Sequence, residues 1–213
     1  MLPQRPAIGV AFADVDDDGY QDLYVVNGDQ ANKLFVNGGS GTFTDESSAA
    51  GVNVTGYGQG VAFGDLDNDG DQDFYTTNQD EADIMFTNNG AGIFTDVSSA
   101  AGIGDTGVGH GVALGDVDAD GDVDLYVNIW GFANRLYVNG GSGTFTDGAS
   151  AAGVADTGLG VGVAIADVDN DGDLDLYVVK HNRANMLLNG GSGTFTDGSS
   201  AAGVAEIGID GWG

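Results

Sequence analysis

The chain has 213 residues and carries 33 acidic against 5 basic residues, so its formal net charge is −28. This charge argues against a nucleic-acid partner, because almost nothing in the chain could neutralise phosphates. Hydrophobic residues make up 41%, and there are 39 glycines but 2 prolines. That composition favours a packed fold with many tight turns over a disordered chain. Cysteine is absent, which excludes disulfides and thiolate metal sites.

Membrane and export signals are not visible in the sequence. No window of 18 apolar residues occurs, so no membrane-spanning helix is predicted. The first residues, MLPQRPAIGVAF, lack the apolar core of a signal peptide.

A repeat of 51 residues organises the sequence. Similar acidic segments begin at Asp14, Asp65, Asp116 and Asp167, each 51 residues after the last. An internal period of this length is typical of repeat architectures. The register predicts one repeat domain over residues 1–213, with units at 9–59, 60–110, 111–161 and 162–212.

Each unit contains four short apolar runs, mostly of period two, which indicate β-strands. In the first unit they read, in chain order, GVAFA, DLYVV, KLFVN and GTFTD. The acidic segment separates the first two runs. The stretch 37–41, NGGSG, separates the last two, and its Asn-Gly start favours a tight hairpin. The following SSAAG is long enough for one helical turn.

Four antiparallel strands per unit predict an all-β fold, a β-propeller of four tandem 51-residue blades. A parallel β-solenoid fits less well, because its coils are shorter and lack internal hairpins. The chain ends where a fifth first strand would begin. A fragment of a larger propeller, or self-association of chains to complete one, therefore stays open as an interpretation.

The acidic segments have the form D-x-D-x-D-G-x-x-D, as in DVDNDGDLD of the fourth unit. Side chains at positions one, three and five of such a loop can converge on one point. Glycine at position six permits the turn, and a carbonyl at position seven adds an oxygen. The aspartate at position nine closes the shell. Flexible, all-oxygen and multiply anionic coordination selects Ca²⁺ over softer metals and over Mg²⁺.

The sequence therefore predicts four Ca²⁺ per chain. The predicted side-chain ligands are Asp14, Asp16, Asp18 and Asp22; Asp65, Asp67, Asp69 and Asp73; Asp116, Asp118, Asp120 and Asp124; and Asp167, Asp169, Asp171 and Asp175. The predicted carbonyl ligands belong to Tyr20, Asp71, Asp122 and Asp173. A solvated acidic turn is the alternative for one loop, but four such clusters of like charge are costly without cations. EF-hands differ, since they need Glu at position twelve and a following helix.

The strings FADVDDDGYQDLYVVNG, ANRLYVNGGSGTFTD and ADVDNDGDLDLYVV resemble FG-GAP/VCBS repeats, especially those of the ASPIC/UnbV and cartilage acidic protein group. The resemblance covers nearly the whole chain. It implies a calcium-binding propeller like that of integrin α-subunit heads, usually secreted or at the cell surface, that serves adhesion or ligand recognition. The predicted function is a non-catalytic recognition or adhesion module. Such propellers commonly have about seven blades, and the C-terminal ASPIC/UnbV segment of that group is missing here.

The turns between the second and third strands should lie at the end opposite the acidic loops. They read NGDQ, NQDE, IWGF and KHNR, so they change character while the loops do not. The predicted partner-binding residues there are Trp130, Phe132, Lys180, His181 and Arg183, facing a protein or glycan ligand. Drift in an exposed turn is the alternative explanation for this mixture of residues.

An enzyme or lectin is the alternative function, as the propeller of a carbohydrate-active protein. No nucleophile–histidine–acid arrangement is readable, so no catalytic residue is assigned. The other repeated acids are Asp45, Asp96, Asp147 and Asp197. Their repetition favours a structural role, since a catalytic carboxylate pair should occur in one place.

Overall fold

A computed structural model describes residues 7–79, 81–103, 108–181 and 183–204; for residues 7, 183–186 and 188 it describes the backbone alone. The described residues form sixteen strands in four groups, here called blades 1 to 4. Blade 1 contains β1 (Ala7–Ala13), β2 (Asp22–Asn27), β3 (Lys33–Asn37) and β4 (Phe43–Asp45); blade 2 contains β5 (Gly58–Gly64), β6 (Asp73–Asn78), β7 (Ile84–Asn88) and β8 (Phe94–Asp96). Blade 3 contains β9 (Gly109–Gly115), β10 (Asp124–Ala133), β11 (Arg135–Asn139) and β12 (Phe145–Asp147), followed by α1 (Ala149–Ala152); blade 4 contains β13 (Thr157–Ala166), β14 (Asp175–Lys180), β15 (Arg183–Asn189) and β16 (Phe195–Asp197).

Each blade is an antiparallel meander in which consecutive strands pair. The acidic loop joins the first two strands, where Ala13 lies opposite Asp22 in blade 1. The predicted all-β fold with four antiparallel strands per unit is confirmed. The SSAAG segment makes one helical turn in blade 3, where α1 ends at Gly153 with a left-handed φ of 78°. No helix among the described residues is long and apolar enough to cross a bilayer.

Apolar side chains on alternate strand positions are buried between neighbouring blades. Between blades 1 and 2, the ring of Tyr24 lies 4.7 Å from that of Phe74, and Phe74 stacks on Phe86 at 4.8 Å. Similar clusters lie between blades 2 and 3 and between blades 3 and 4. Burial alternates along β2, but every residue of β6 is buried. The reason is that blade 1 is covered on one face, whereas blade 2 is covered on both.

The first strands of the blades, β1, β5, β9 and β13, pack side by side at the innermost edge of the sheets. A Cβ at Gly60 would lie 2.5 Å from the carbonyl oxygen of His110, and one at Gly111 would lie 2.8 Å from the Cα of Gly162. Only glycine permits backbones to approach so closely. The blades therefore follow one another around an axis, as in a propeller.

Blades 3 and 4 are joined by hydrogen bonds that the sequence did not predict. Strand β10 continues beyond its pairing with β9 and β11 and pairs with β13, with Trp130 opposite Leu159 and Ala133 opposite Thr157. The sheets of these two blades thus form a single eight-stranded sheet.

Shortening Phe74 tests whether the cores between blades hold the fold together. We expect Phe74→Ala to lower the free energy of unfolding by about 3–5 kcal/mol, the usual cost for a buried phenylalanine. Phe74 is fully buried and contacts four other aromatic rings. The matched control Ile93→Ala removes an exposed side chain and should change the same quantity by less than about 1 kcal/mol. Equal losses for both variants, in denaturant unfolding at constant calcium, would contradict this.

Candidate metal centres

The acidic loops are tight curls held by hydrogen bonds to their own carboxylates. In blade 1, Asp14 accepts the N–H groups of Asp18 and Gly19 at 3.2 and 2.9 Å, and Asp18 accepts that of Tyr20 at 2.9 Å. Gly19 has a φ of 89°, which explains glycine at position six. In blades 2 to 4, the position-one aspartate likewise accepts the N–H of the glycine, and the position-five aspartate accepts the N–H of position seven. Such bonding curls the backbone before any ion binds.

The aspartate at position nine anchors each loop to the sheet. In blade 2, Asp73 accepts the N–H of Leu66 at 2.9 Å and the N–H of Asn88 at 2.8 Å, so both carboxylate oxygens are used. The four position-nine residues are all buried: Asp22, Asp73, Asp124 and Asp175. Burial raises the pKa of Asp73 to about 7 and that of Asp124 to about 6.

Three carboxylates converge in every loop, each offering one oxygen within 4.8 Å of the others. The groups are Asp14, Asp16 and Asp18; Asp65, Asp67 and Asp73; Asp116, Asp118 and Asp124; and Asp167, Asp169 and Asp175. The structure thus brings together the predicted positions one and three, with position five in blade 1 and position nine in the other blades. The remaining position-five residues, Asp69, Asp120 and Asp171, accept the N–H of position seven.

The hydrogen bonding of the carboxylate at position three points to a cation. One oxygen each of Asp16, Asp67 and Asp118 is buried and accepts no hydrogen bond. Burial raises the pKa of all three carboxyls, and the negative charge of neighbouring carboxylates raises it further. A buried acceptor without a partner is costly. A cation with oxygen ligands would supply that partner, so the donor set fits Ca²⁺.

The loops of blades 1, 2 and 3 are each linked to the following blade by an asparagine that the sequence analysis did not assign to the site. The side-chain amide of Asn88 donates to the carbonyl of Val15 in the loop of blade 1 at 2.8 Å. Asn139 donates to Leu66 of blade 2 at 3.0 Å, and Asn189 donates to Val117 of blade 3. The signal in the sequence is the Asn before each Gly-rich hairpin, a residue that the turn alone also explains.

At the opposite end, Trp130 lies between two histidines. The rings of His110 and Trp130 stack with centroids 5.2 Å apart, and His181 meets Trp130 edge-on at 5.9 Å. Phe132, two residues further along β10, is 62% exposed. We call Trp130, Phe132, His110 and His181 the aromatic cluster. It contains three of the five predicted partner-binding residues.

The other two predicted partner-binding residues are Lys180 and Arg183. Lys180 is 7% exposed and forms an ion pair with Asp156. Its charge is therefore matched inside the fold and is not presented to a ligand. The backbone of Arg183 lies in β15, and its side chain lies outside the described residues.

A family model described as an FG-GAP-like repeat matches residues 14–76, 65–127 and 132–178, well over half of the chain. The chain belongs to the FG-GAP-like repeat family. The matched segments begin at the first acidic loop and include all four acidic loops.

Known proteins resemble this FG-GAP-like chain over parts of their length. Cartilage acidic protein 1 of Mus musculus and that of Homo sapiens are each 35% identical over 95 residues, which is 44% of this chain and 15% and 14% of theirs. The chain thus spans about a seventh of these curated relatives. An Agrocybe aegerita lectin structure, described as recognising non-reducing terminal N-acetylglucosamine, matches with a TM-score of 0.52 and 24% identity over 87% of this chain and 49% of that one. This likeness shows the fold alone.

Removing an asparagine link should destabilise the FG-GAP-like fold. We expect Asn139→Ala to lower the free energy of unfolding by about 1–3 kcal/mol, because the buried carbonyl of Leu66 and the partly buried carbonyl of Val123 lose their donor. The control Asn53→Ala removes an exposed amide that bonds to Ser48 and should cost less than about 0.5 kcal/mol. Denaturant unfolding in excess chelator checks both, and equal stabilities would show that the link is unimportant.

Proposed function

We propose that the chain is a calcium-stabilised recognition module without catalytic activity. The observation that carries the proposal is the recurrence of buried, unpartnered position-three oxygens in acidic loops of one register. In each loop the carboxylates at positions one, three, five and nine, with the carbonyl of position seven, would hold one Ca²⁺. The ion supplies positive charge where the fold concentrates negative charge.

Bound calcium would also change the charge of the whole chain. Four ions, at +2 each, would raise the formal charge from −28 to −20. Most of that change would fall at the end of the blades where the loops lie. Self-repulsion destabilises a compact state, so ion binding would relieve strain that the apoprotein carries. Millimolar calcium outside cells fits this use, and we propose an extracellular or cell-surface location.

Calorimetric titration should count four Ca²⁺ per chain. We expect dissociation constants of roughly 10⁻⁴–10⁻³ M, the range of extracellular calcium modules. Asp16→Asn should reduce the count to three, because it removes the carboxylate at position three of the first loop. Asp17→Asn is the matched control and should keep four, since position four is not a predicted ligand and already holds asparagine at Asn68 and Asn170. A count of one or none in the parent chain would refute the proposed sites.

Chelation should lower the melting temperature strongly, because an ion that binds the folded state alone stabilises it by mass action. The measurement is a melting curve in excess chelator and in millimolar calcium. Magnesium at the same concentration is the control and should restore little of the loss, since it dehydrates reluctantly. Identical curves with and without chelator would show that the loops are solvated turns.

The aromatic cluster supports recognition of a glycan at the end opposite the loops. Phe132, two residues from Trp130 in β10, has an exposed phenyl ring, the kind of flat apolar face on which sugar rings stack. The fold neighbour from Agrocybe aegerita is described as a lectin, which shows that a related fold can carry a sugar site. The ligand here is a proposal from the cluster itself, with a protein partner as the alternative.

Binding of tri-N-acetylchitotriose, followed by NMR titration in saturating calcium, tests the glycan site. We expect millimolar binding by the parent chain and at least a tenfold loss in Phe132→Ala, since Phe132 is exposed and its removal should leave the fold intact. Ile93→Ala, an exposed change at the loop end, should bind as the parent does. If Phe132→Ala bound as tightly as the parent chain, the cluster would not be the glycan site.

The enzyme alternative finds little support in the remaining acids. Asp45 accepts hydrogen bonds from Ser47 and pairs with Lys33 at 2.8 Å, which holds the pKa of Asp45 at about 2. Asp147 pairs with Arg135 at 3.1 Å. Asp96 and Asp197 accept the hydroxyls of Ser98 and Ser199 at 2.6 Å. These bonds shape the turn into the SSAAG segment, so the four acids act as structural residues.

A further inference from the structure

Among the described residues, blades 1 and 4 each expose apolar side chains on the face that lies away from the neighbouring blade. On blade 1, Val10 is 62% and Phe12 is 60% exposed, and Phe43 is nearly half exposed. On blade 4, Val168 is 48% exposed and Val179 is also exposed. We call the first set the leading face and the second set the trailing face. Clustered exposure of this kind marks an interaction surface.

Inside the chain, the same repeat positions are buried. Val15 and Val26 of blade 1 correspond to Val168 and Val179, and they are 1% and 0% exposed because blade 2 covers them. Phe63 and Phe94 of blade 2 correspond to Phe12 and Phe43, and they pack into the core against blade 1. In each of the three internal interfaces, the equivalent of the leading face of one blade therefore covers the equivalent of the trailing face of the preceding blade.

The polar contacts between blades stop at the same two faces. Asn37 of blade 1 occupies the repeat position of the linking asparagines and donates to Gln21 within its own blade. The matching acceptor on blade 4 is the carbonyl of Val168, the counterpart of Val15. A Cβ at Gly162 would meet no atom of the described residues within 4 Å, whereas those at Gly9, Gly60 and Gly111 would meet the next blade.

We propose that the leading face of one chain docks on the trailing face of a second copy, as a fourth interface of the kind that the chain builds three times internally. The occupant is a second copy because its leading face offers the required Val10, Phe12 and Asn37 in the required register. The contact is heterologous, head to tail. It closes a two-fold ring of eight blades if each blade turns by about 45°, and it builds a filament otherwise.

Charge opposes this docking, since each chain carries −28. High ionic strength screens that repulsion between exposed charges. The experiment is therefore run at high salt, with and without calcium. Failure of calcium binding and failure of self-association are then separate results.

The test is sedimentation of the intact chain and of two variants. The parent should sediment as a dimer, at twice the 21.5 kDa chain mass, or as a concentration-dependent series of larger species if the ring does not close. Phe12→Asp, which blocks the leading face, and Val179→Asp, which blocks the trailing face, should each be monomeric. Ile93→Asp is the control for an added charge outside both faces and should sediment as the parent does. Melting curves show that each variant is folded.

Mixing the two variants distinguishes head-to-tail docking from other contacts. Phe12→Asp keeps an intact trailing face, and Val179→Asp keeps an intact leading face. An equimolar mixture should therefore form a one-to-one dimer that neither variant forms alone. A monomeric parent, or an oligomer that both variants leave unchanged, would overturn the proposal. If both variants are folded and monomeric but do not associate on mixing, the head-to-tail geometry is wrong.

Discussion

A four-stranded antiparallel sheet with apolar side chains on both faces cannot bury both faces alone, and the rest of this structure depends on that constraint. Each blade needs a neighbour on either side, so the repeat is stable as an array rather than as a unit. The innermost strands must then approach closely, and glycines at the points of contact permit it. Burial along β6, compared with the alternating burial along β2, shows the effect of a second neighbour directly.

The acidic loops are connected to this stacking, although they lie at one end of the blades. The buried carboxylate of Asp73 accepts N–H groups from the loop and from Asn88. The side chain of Asn88 then reaches back to the loop of the preceding blade. An ion that tightens one loop would therefore also act on the contact with its neighbour. In the proposed function, metal binding and blade packing stabilise each other.

The sequence predicts the repeated parts of the fold well, because each copy supports the interpretation of the others. Period-two runs predict the strands. The nine-residue spacing predicts four carboxylates per site, and the structure brings three of them together in each loop: positions one and three everywhere, with position five in blade 1 and position nine in the other blades. The strand β10 could not be predicted to join β13, since the turn IWGF has no counterpart in the other units. The ion pair of Lys180 with Asp156 was not predicted either, because β13 begins at Thr157, before the apolar run of its unit, and so places Asp156 near the end of β14.

The linking asparagines show a different limit. A residue such as Asn139 is fully explained by its turn when the sequence is considered locally, because Asn-Gly favours a tight hairpin. Its second role, a hydrogen bond to Leu66, requires contact with the loop of the preceding blade, and Leu66 lies 73 residues earlier in the chain. Burial of the position-nine aspartates could not be predicted either. The four acids of a loop are equivalent in the sequence, and only the folded sheet buries one of them.

Calcium in the four loops is the central claim, and a crystal structure grown in millimolar calcium tests it most directly. The account predicts density for one ion in each loop, with oxygens of positions one, three, five, seven and nine at about 2.3–2.6 Å. The unpartnered oxygens of Asp16, Asp67 and Asp118 should be among the ligands. Loops that hold only water, with those oxygens hydrogen-bonded to solvent, would contradict it.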